Sequence, residues 1–448
     1  MKFLKLKKNW MEHWRQYSMS RIMKDSGIIW VGKIPQTWAV KPNKRVMTKR
    51  KKICNKYQGE DVLSLTMNGV IVRDLENPYG KMPLTFDGYQ CVEEGNLLMC
   101  LFDIDVTPRC IGIINSNGLT SPAYSQFELI EGNVRYFYYY YLYLDYTKEL
   151  LHITKSLRHT LTESQLGEIY IPYPSEGEQE HISNYLDIHC ALIDYTIENQ
   201  KLAIEKLKEY KQSIITEAVT TGLNPNVPMK DSGIEWIGEI PEHWNLMKFR
   251  YVISSIKSGT SVNASYYPAG NNEVGVLKTS CVYNYKFEIE ENKCVNLDEI
   301  TRVACPVKGD TVIMSRMNTP ELVGAAGYVD ADSENIYLPD RLWQVSFDKN
   351  VQAKYAWYYL ISKNVRKYFE LISMGTSSSM QNITQGQLNS LPIGYPSIEE
   401  QNEITKYLDT KTLSIDNAVR RKELVIAKLE SFRKSLIYEC VTGKREVK

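Results

Sequence analysis

Two segments of the chain, 175–222 and 397–443, have the pattern of long helices that pack against other helices. Each begins with a Ser-x-x-Glu capping box and ends at a glycine, which are common start and stop signals of a helix. Between these signals, apolar residues recur with the heptad spacing of a coiled coil. The apolar heptad positions include Leu186, Ile193, Ile197, Ile204, Leu207 and Ile214 in the first segment, and Leu408, Ile415, Val419, Ile426, Leu429 and Leu436 in the second.

Polar residues interrupt the two heptad patterns at matching places. Gln200 and Lys211 interrupt the first segment, and Lys422 and Arg433 occupy the same relative positions in the second. The alternative is a pair of unrelated amphipathic helices, each packed on its own domain. Matched interruptions favour a mutual coiled coil, because polar residues at apolar heptad positions fix the register at a cost in stability.

The regions that precede these helices, about 39–174 and 245–396, have a different pattern. They are rich in Tyr, Val, Ile, Gly and Asn, and contain short apolar runs such as Glu273–Ser280 and Thr311–Ser315. Such runs predict short strands in mixed α+β domains. Each region also has an aromatic helix near its end, at Tyr136–Leu144 and Ala353–Ile361. We expect these aromatic side chains to pack in a core rather than stack on bases.

Part of the sequence is written twice. Met23–Trp38 returns as Met229–Trp244 with most positions identical, whereas the regions between the repeated motifs barely resemble each other. A duplicated scaffold with unlike inserts suits a protein that recognises two different targets with the same overall arrangement. The repeat predicts five segments: a basic N-terminal segment 1–22, a first domain 23–174, a helix and linker 175–228, a second domain 229–396, and a C-terminal helix 397–448.

The net charge of +1 hides an uneven distribution. Residues 1–56 hold 16 Lys or Arg and only two acids, so the other residues carry a net negative charge. Within the basic stretch 41–56 we single out Lys49, Arg50, Lys51 and Lys52 as a surface that faces phosphates, since counterion release drives such binding. A solvated protein surface is the alternative. Nine cysteines without a CxxC pair indicate reduced thiols in a cytoplasm, and no apolar run approaches the roughly 18 residues of a membrane span.

The sequence lacks the usual signatures of an enzyme. It has no phosphate-binding G-x-x-x-x-G-K-[ST] loop, no glycine-rich cofactor turn, and no histidine or cysteine spacing typical of a metal site. We therefore expect a chain without catalytic activity, metal or cofactor of its own.

The repeated motifs resemble those of one family. D-S-G-I-x-W-[IV]-G-x-I-P-x-x-W precedes each variable region, and E-Q-x-x-I-x-x-Y-L-D opens each long helix, as in the specificity subunits of Type I restriction-modification enzymes. The resemblance covers about residues 23–443. It implies an α+β fold with a pseudo-twofold repeat, in which two target recognition domains are separated by an antiparallel coiled coil of the two long helices.

The resemblance also implies a function and partners. Each recognition domain reads one half of a split, asymmetric site on double-stranded DNA, and the long helices bind two methyltransferase subunits. Restriction and translocase subunits join that complex. S-adenosylmethionine, ATP and Mg²⁺ are then expected only on the partner subunits. The alternative is a non-catalytic scaffold or decoy that binds methyltransferase subunits without reading DNA, and the basic stretch 41–56 is an argument against it.

Base reading needs Arg, Asn or Gln side chains on loops that a rigid sheet holds, because Arg suits guanine, and Asn or Gln suits adenine. Polar loops precede both long helices, and a further candidate pair follows the apolar run Val312–Met314. The candidates are Lys155, Arg158 and His159 in the first domain, and Arg316, Asn318, Ser377, Ser378 and Gln381 in the second. The alternative is that these loops only contact phosphate or pack against the helix start.

Overall fold

A computed structural model describes residues 21–78, 82–154, 159–377 and 380–447 of the chain. The contacts within the chain divide it into two compact units. Unit 1 comprises the residues up to Gln200 together with Leu424–Lys448, and unit 2 comprises Lys201–Glu423. Of the predicted N-terminal segment 1–22, all but the last two residues lie outside the described residues. In the described part of the chain, no helix has both the length and the apolar character needed to cross a bilayer.

Among its described residues, unit 1 contains thirteen short strands and two helices before its part of the long helices. The strands are β1 Met23–Asp25, β2 Lys33–Pro35, β3 Ala39–Pro42, β4 Met47–Arg50, β5 Lys52–Ile53, β6 Leu63–Thr66, β7 Gly69–Val72, β8 Gln90–Val92, β9 Leu97–Met99, β10 Ile111–Ile113, β11 Gly118–Thr120, β12 Ser125–Leu129 and β13 Tyr170–Tyr173. The helices are α1 Val134–Thr147 and α2 Glu163–Glu168, and the first long helix is α3 Glu176–Thr221.

Unit 2 repeats this order with fourteen strands in its described residues. They are β14 Met229–Asp231, β15 Glu239–Pro241, β16 Asn245–Lys248, β17 Ile253–Ser258, β18 Gly275–Leu277, β19 Asn292–Cys294, β20 Thr311–Ser315, β21 Met317–Asn318, β22 Ala326–Val329, β23 Ile336–Tyr337, β24 Leu342–Phe347, β25 Met374–Ser377, β26 Met380–Asn382 and β27 Pro392–Tyr395. The helices are α4 Ala353–Leu360, α5 Lys363–Ile372, α6 Gln385–Ser390 and the second long helix, α7 Ile398–Val441.

The two units have the same central sheet. Its four strands are antiparallel and follow the order β10-β9-β12-β4 in unit 1 and β22-β20-β24-β17 in unit 2. The predicted strand Thr311–Ser315 matches β20 and is buried along its length. The predicted strand Glu273–Ser280 is shorter than expected: β18 ends at Leu277, because the Cys281 N–H bonds back to the Lys278 carbonyl and starts a turn.

The aromatic helices pack in the cores, as predicted. Tyr136 and Tyr140 of α1 are fully buried, and so is Tyr355 of α4. The α1 helix begins at Asn133, whose side chain accepts the N–H groups of the first turn. The buried tyrosine hydroxyls bond to protein carbonyls or carboxylates, which removes the cost of burying them unpaired.

The long helices end as their sequences predict. The glycines that follow them, Gly222 and Gly443, have φ angles of +75° and +69°, which favour glycine and stop a helix. Beyond Gly443, the Lys444 ammonium donates to the Val31 carbonyl at 2.6 Å. The C-terminal end of the chain therefore packs in unit 1 against the first copy of the repeated motif.

Each unit contains half of an antiparallel helix pair. In unit 1 the start of α3 packs against the end of α7, and in unit 2 the end of α3 packs against the start of α7. The predicted heptad residues Leu186, Ile193, Ile197, Ile204, Ile214, Leu408, Ile415 and Leu436 are buried, and Leu207, Val419, Ile426 and Leu429 are partly buried. The predicted α+β architecture with paired long helices is confirmed.

Two of the four polar interruptions form ion pairs between the helices. Arg433 pairs with Asp194 in unit 1, and the Lys211 ammonium lies 2.7 Å from Asp416 Oδ1 in unit 2. The step forward along α3 from Asp194 to Lys211 has the same length as the step back along α7 from Arg433 to Asp416. The two helices are therefore antiparallel in each unit, and Lys211 and Arg433 each have a carboxylate partner on the facing helix.

The repeated motifs bind each other within each unit. The Trp38 indole N–H donates to Glu178 at 2.9 Å, and the Trp244 indole N–H donates to Glu400 at 3.0 Å. Both indoles are buried. These bonds join the tryptophan that ends each repeated motif to the first turn of a long helix.

The next residues of the helix motif hold the aromatic helices. The Gln179 side chain is buried and accepts the Asn133 N–H at 2.8 Å, and Asp187 accepts the Tyr139 hydroxyl at 2.8 Å. The same bonds recur in unit 2 between Gln401 and Gln352 at 2.9 Å, and between Asp409 and Tyr358 at 2.8 Å. The repeated residues thus build the scaffold, and the unlike residues lie between them.

Candidate nucleic-acid interface

In unit 2 the structure brings two distant candidate segments into one small sheet. β21 lies in the loop between β20 and β22, and it pairs with β26, which pairs in turn with β25. Asn318 lies opposite Gln381, and the Ile383 N–H donates to the Arg316 carbonyl at 3.0 Å. The backbone of Ser377 belongs to β25, whereas Ser378 lies outside the described residues. Candidates from two parts of the sequence that are far apart therefore share one surface element.

The Arg316 side chain is held at one end. Its Nε donates to the Asp340 carbonyl at 2.7 Å, and the side chain is only partly buried. Within the part of the chain that the structure describes, the terminal Nη1 and Nη2 atoms have no hydrogen-bond partner. A guanidinium fixed through Nε keeps two parallel donors, which is the arrangement that matches the O6 and N7 atoms of guanine.

Asn318 is bound differently. Its Nδ2 donates to Ser315 Oγ at 3.3 Å, and its Oδ1 accepts the Thr319 N–H at 2.9 Å and the Tyr283 hydroxyl at 3.4 Å. Both ends of the amide are thus engaged with neighbouring residues of the same unit. This geometry favours a role in shaping the loop over a bidentate contact to adenine.

In unit 1 the two equivalent segments also contact each other. The loop between β9 and β10 contacts the residues before α2: the Leu161 N–H donates to the Leu101 carbonyl at 2.7 Å, and the Ile104 N–H donates to the His159 carbonyl at 3.5 Å. His159 has a φ angle of +41°, and its Nδ1 lies 3.2 Å from Thr154 Oγ1. The candidates Lys155 and Arg158 lie outside the described residues.

In both units a short capped helix directly follows the second of the two contacting segments. Thr162 caps α2 and Thr384 caps α6, each in a complete capping box with the glutamine three residues later. His159 and Gln381 each lie three residues before their cap, so they occupy equivalent positions. The T-x-x-Q pattern is readable in the sequence, and it would have located this equivalence before the structure.

The sequence interpretation missed Arg109, at the end of the β9–β10 loop. Its guanidinium donates to the Met67 carbonyl at 2.9 Å and to the Tyr138 hydroxyl at 3.3 Å, while its Nε is buried without a partner in the described chain. The signal that could have found it is a lone arginine in the loop between two apolar strands, because this loop corresponds to the one that begins with Arg316 in the second domain.

The four candidate cations of the basic stretch lie in different surroundings. Lys49 and Arg50 belong to the edge strand β4 and form ion pairs with Glu163 and Glu128, respectively. Because side chains alternate along a strand, these two cations point to opposite faces. Lys51 and Lys52 follow them, are exposed, and have no ion-pair partner among the described residues. The structure does not gather all four cations on one face.

The sequence is similar to proteins of known type. It matches the family model described as the Type I restriction modification DNA specificity domain over residues 112–207 and 241–425. It is 24% identical over 195 residues to the EcoEI specificity subunit of Escherichia coli, covering 43% of this chain and 32% of that one. It is 28% identical over 283 residues to the MjaVIII specificity subunit of Methanocaldococcus jannaschii, covering 62% of this chain and 63% of that one. The chain thus spans less than two thirds of the length of these curated relatives.

A solved structure supports the fold. A chain from the work titled "Structural basis underlying complex assembly and conformational transition of the type I R-M system" superposes with a TM-score of 0.68 at 12% identity, covering 92% of this chain and 99% of that one. The curated relatives are specificity subunits, in agreement with the expectation that this chain is not an enzyme. With the family model matching more than half of its residues, the chain belongs to the Type I restriction-modification DNA specificity family.

Proposed function

We propose that this chain reads a bipartite, asymmetric site on double-stranded DNA for a Type I restriction-modification complex. One observation carries the proposal: both units join the same two surface segments through backbone bonds, while the side chains there differ. In unit 1 the segments hold His159 and Arg109, and in unit 2 they hold Arg316 and Gln381. A common geometry with unlike side chains is what two independent readers of two half-sites require.

The long helices are the proposed binding site for two methyltransferase subunits. The part of α3 in unit 1 keeps Ile188, Leu192 and Tyr195 exposed at 67%, 56% and 68%. Their spacing of four and three residues places them in one row, away from the buried heptad positions. An apolar row on an exposed helix face fits a protein partner. Restriction and translocase subunits then join the complex, and S-adenosylmethionine, ATP and Mg²⁺ bind to these partners.

The second candidate function is a scaffold that binds methyltransferase subunits without reading DNA. It gains some support from the ion pairs of Lys49 and Arg50, which offset part of the charge offered to phosphates. The readers on two separate units argue for recognition. We also infer a cytoplasmic location, since all nine cysteines are free thiols and seven of them are buried.

Methylome sequencing distinguishes the two functions. The chain is expressed with its methyltransferase partner in cells that lack other DNA methylation, and the methylated positions are mapped. A reader gives a single motif with two specified halves and an unspecified spacer. Methylation without a motif, or none despite a stable complex, contradicts the proposal and supports the scaffold. The purified chain alone should transfer no methyl groups.

A further inference from the structure

A buried arginine lies behind the β20–β22 loop of unit 2. Arg366 belongs to α5 and is 9% exposed. Its Nη2 donates to the Glu321 carbonyl at 2.9 Å, and its guanidinium lies 5.5 Å from the centre of the Tyr285 ring. Among the residues that the structure describes, its Nε and Nη1 have no hydrogen-bond partner and no carboxylate forms an ion pair with it.

Such a residue is costly for the fold. A buried charge without a carboxylate loses its hydration, and burial lowers the pKa of the Arg366 guanidinium. Unsatisfied buried donors are rare in proteins and call for an explanation. A methionine would fill part of the space with an uncharged side chain and would avoid this cost. The bond to the Glu321 carbonyl is what Arg366 supplies and methionine lacks.

The loop approaches Arg366 closely because Gly324 permits it. Gly324 has a φ angle of +75°, and a Cβ atom there would lie 2.9 Å from Arg366 Nη1 and 2.8 Å from the Phe369 ring. The Gly324 N–H donates to the Ser315 carbonyl at 2.7 Å, which closes the loop at its base. The loop is therefore bound at its base by the sheet and at Glu321 by the arginine.

Unit 1 holds its equivalent loop with a different cation. Lys148, the residue after α1, donates from Nζ to the Thr107 carbonyl of the β9–β10 loop at 2.8 Å. Here a buried carboxylate balances the charge: Asp145 lies 2.9 Å from the ammonium and accepts the Cys110 N–H at 2.8 Å. In both units a cation thus donates to a carbonyl of the equivalent loop, β9–β10 in unit 1 and β20–β22 in unit 2. Lys148 directly follows α1, and Arg366 belongs to α5.

We propose that Arg366 and Lys148 are positioning residues that hold the two base-reading loops, one for each half of the DNA target. The inference rests on the proposed function, because it assigns these loops to base reading. Arg366 fixes the loop that begins with Arg316, and Lys148 fixes the loop that ends with Arg109. Neither cation contacts DNA itself. Each sets the sequence discrimination of its own half-site through the position of the loop.

The test uses the complete complex with its methyltransferase subunits. Methylation rates are measured on the native target and on targets with one base changed in either half. We expect Arg366→Met to reduce discrimination about tenfold in the half read by unit 2 and to leave the other half unchanged. Lys148→Met should do the reverse. Lys367→Met, at the neighbour of Arg366 on the same helix, is the matched control and should leave both halves unchanged.

Two further variants, Arg366→Lys and Gly324→Ala, test the same loop contact if Arg366→Met does not fold. Arg366→Lys retains a donor for the Glu321 carbonyl and should restore most of the discrimination, whereas Gly324→Ala should reduce it in the same half by displacing the loop. Unchanged discrimination in Arg366→Met, or an equal loss in both halves, overturns the inference. A wild-type complex that methylates without any motif overturns the proposed function instead, so the two failures are distinguishable.

Discussion

At the scale of single residues, the structure separates candidates that look alike in sequence. Arg316 and Asn318 lie two positions apart after the same strand, yet Arg316 keeps two terminal donors whereas the Asn318 amide is engaged at both ends. The sequence identified the loop because an apolar run precedes it. It could not reveal the partners Asp340 and Tyr283, since these come from other parts of the fold.

The Arg316 geometry predicts a base. Arg316→Ala should relax specificity at one guanine of the half-site read by unit 2, at a cost of about 1–3 kcal/mol in discrimination. Asn318→Ala should weaken binding to all bases of that half without changing the preferred one. Binding of the complex to a set of single-base target variants measures both effects. A preferred motif in which Arg316→Ala changes no position contradicts the guanine contact.

The cations of the basic stretch should contribute unequally. Replacing Lys49, Arg50, Lys51 and Lys52 by alanine is expected to weaken binding to all DNA sequences alike and to flatten its salt dependence, by a slope of about 0.9 for each phosphate that is no longer neutralised. Most of the effect should come from Lys51 and Lys52, because the other two are paired with glutamates. Titration with DNA at several salt concentrations gives the slopes. An unchanged slope identifies the stretch as a solvated surface.

At the scale of elements, the long helices were predictable and most strands were not. A helix carries its start, period and stop in local sequence, so α3 and α7 end within two residues of the predicted glycines. The strands are mostly two to five residues long and depend on partners far along the chain. The β21–β26 pairing, which assembles the candidate site, has no local signal at all.

The helix pair should tolerate charge on its exposed side only. Leu207→Asp or Leu429→Asp is expected to destabilise the protein by at least about 2 kcal/mol, because each change places a carboxylate in the apolar contact between the helices. Leu413→Asp, at a leucine of α7 that is 62% exposed, is the control and should have little effect. Urea unfolding and copurification with the methyltransferase subunits report the outcome. Normal assembly of a soluble Leu207→Asp, Leu429→Asp double variant contradicts the helix pairing.

The ion pair at Asp416 should make the unit 2 helix pair sensitive to acid. Partial burial opposes ionisation of Asp416, but the hydrogen bonds from Lys211 and Lys286 outweigh it and lower the pKa of the carboxyl. The stabilisation is therefore complete above the ordinary aspartate pKa of about 3.9, and it is lost as the pH falls below that value. Unfolding of the wild type and Asp416→Asn, compared across this range, should give a stability difference that shrinks in acid. A difference independent of pH contradicts the assignment.

At the scale of the whole molecule, each insert should determine one half of the DNA target independently of the other, because the repeated scaffold is common to both units. Exchanging residues 245–380 for the insert of another family member is expected to change one half of the methylated motif and to leave the other half intact. The reason is that the insert lies within unit 2 and carries no candidate from unit 1. Methylome sequencing of the chimera reads the result directly. A change in both halves, or in neither, shows that the two domains are not independent readers.

Unit 1 is built from two separate stretches of the chain, and this determines when each unit can complete its core during synthesis. Unit 2 is one continuous stretch, Lys201–Glu423, whereas unit 1 needs Leu424–Lys448 to complete its core. Unit 2 separates the two parts of unit 1 in the sequence, and translating it takes roughly 10–45 s at the usual rate. The start of α3 therefore stays without its partner helix, and the core of unit 1 stays incomplete, until the end of α7 has been made. Synthesis from the N-terminus thus allows unit 2 to complete its core before unit 1 does.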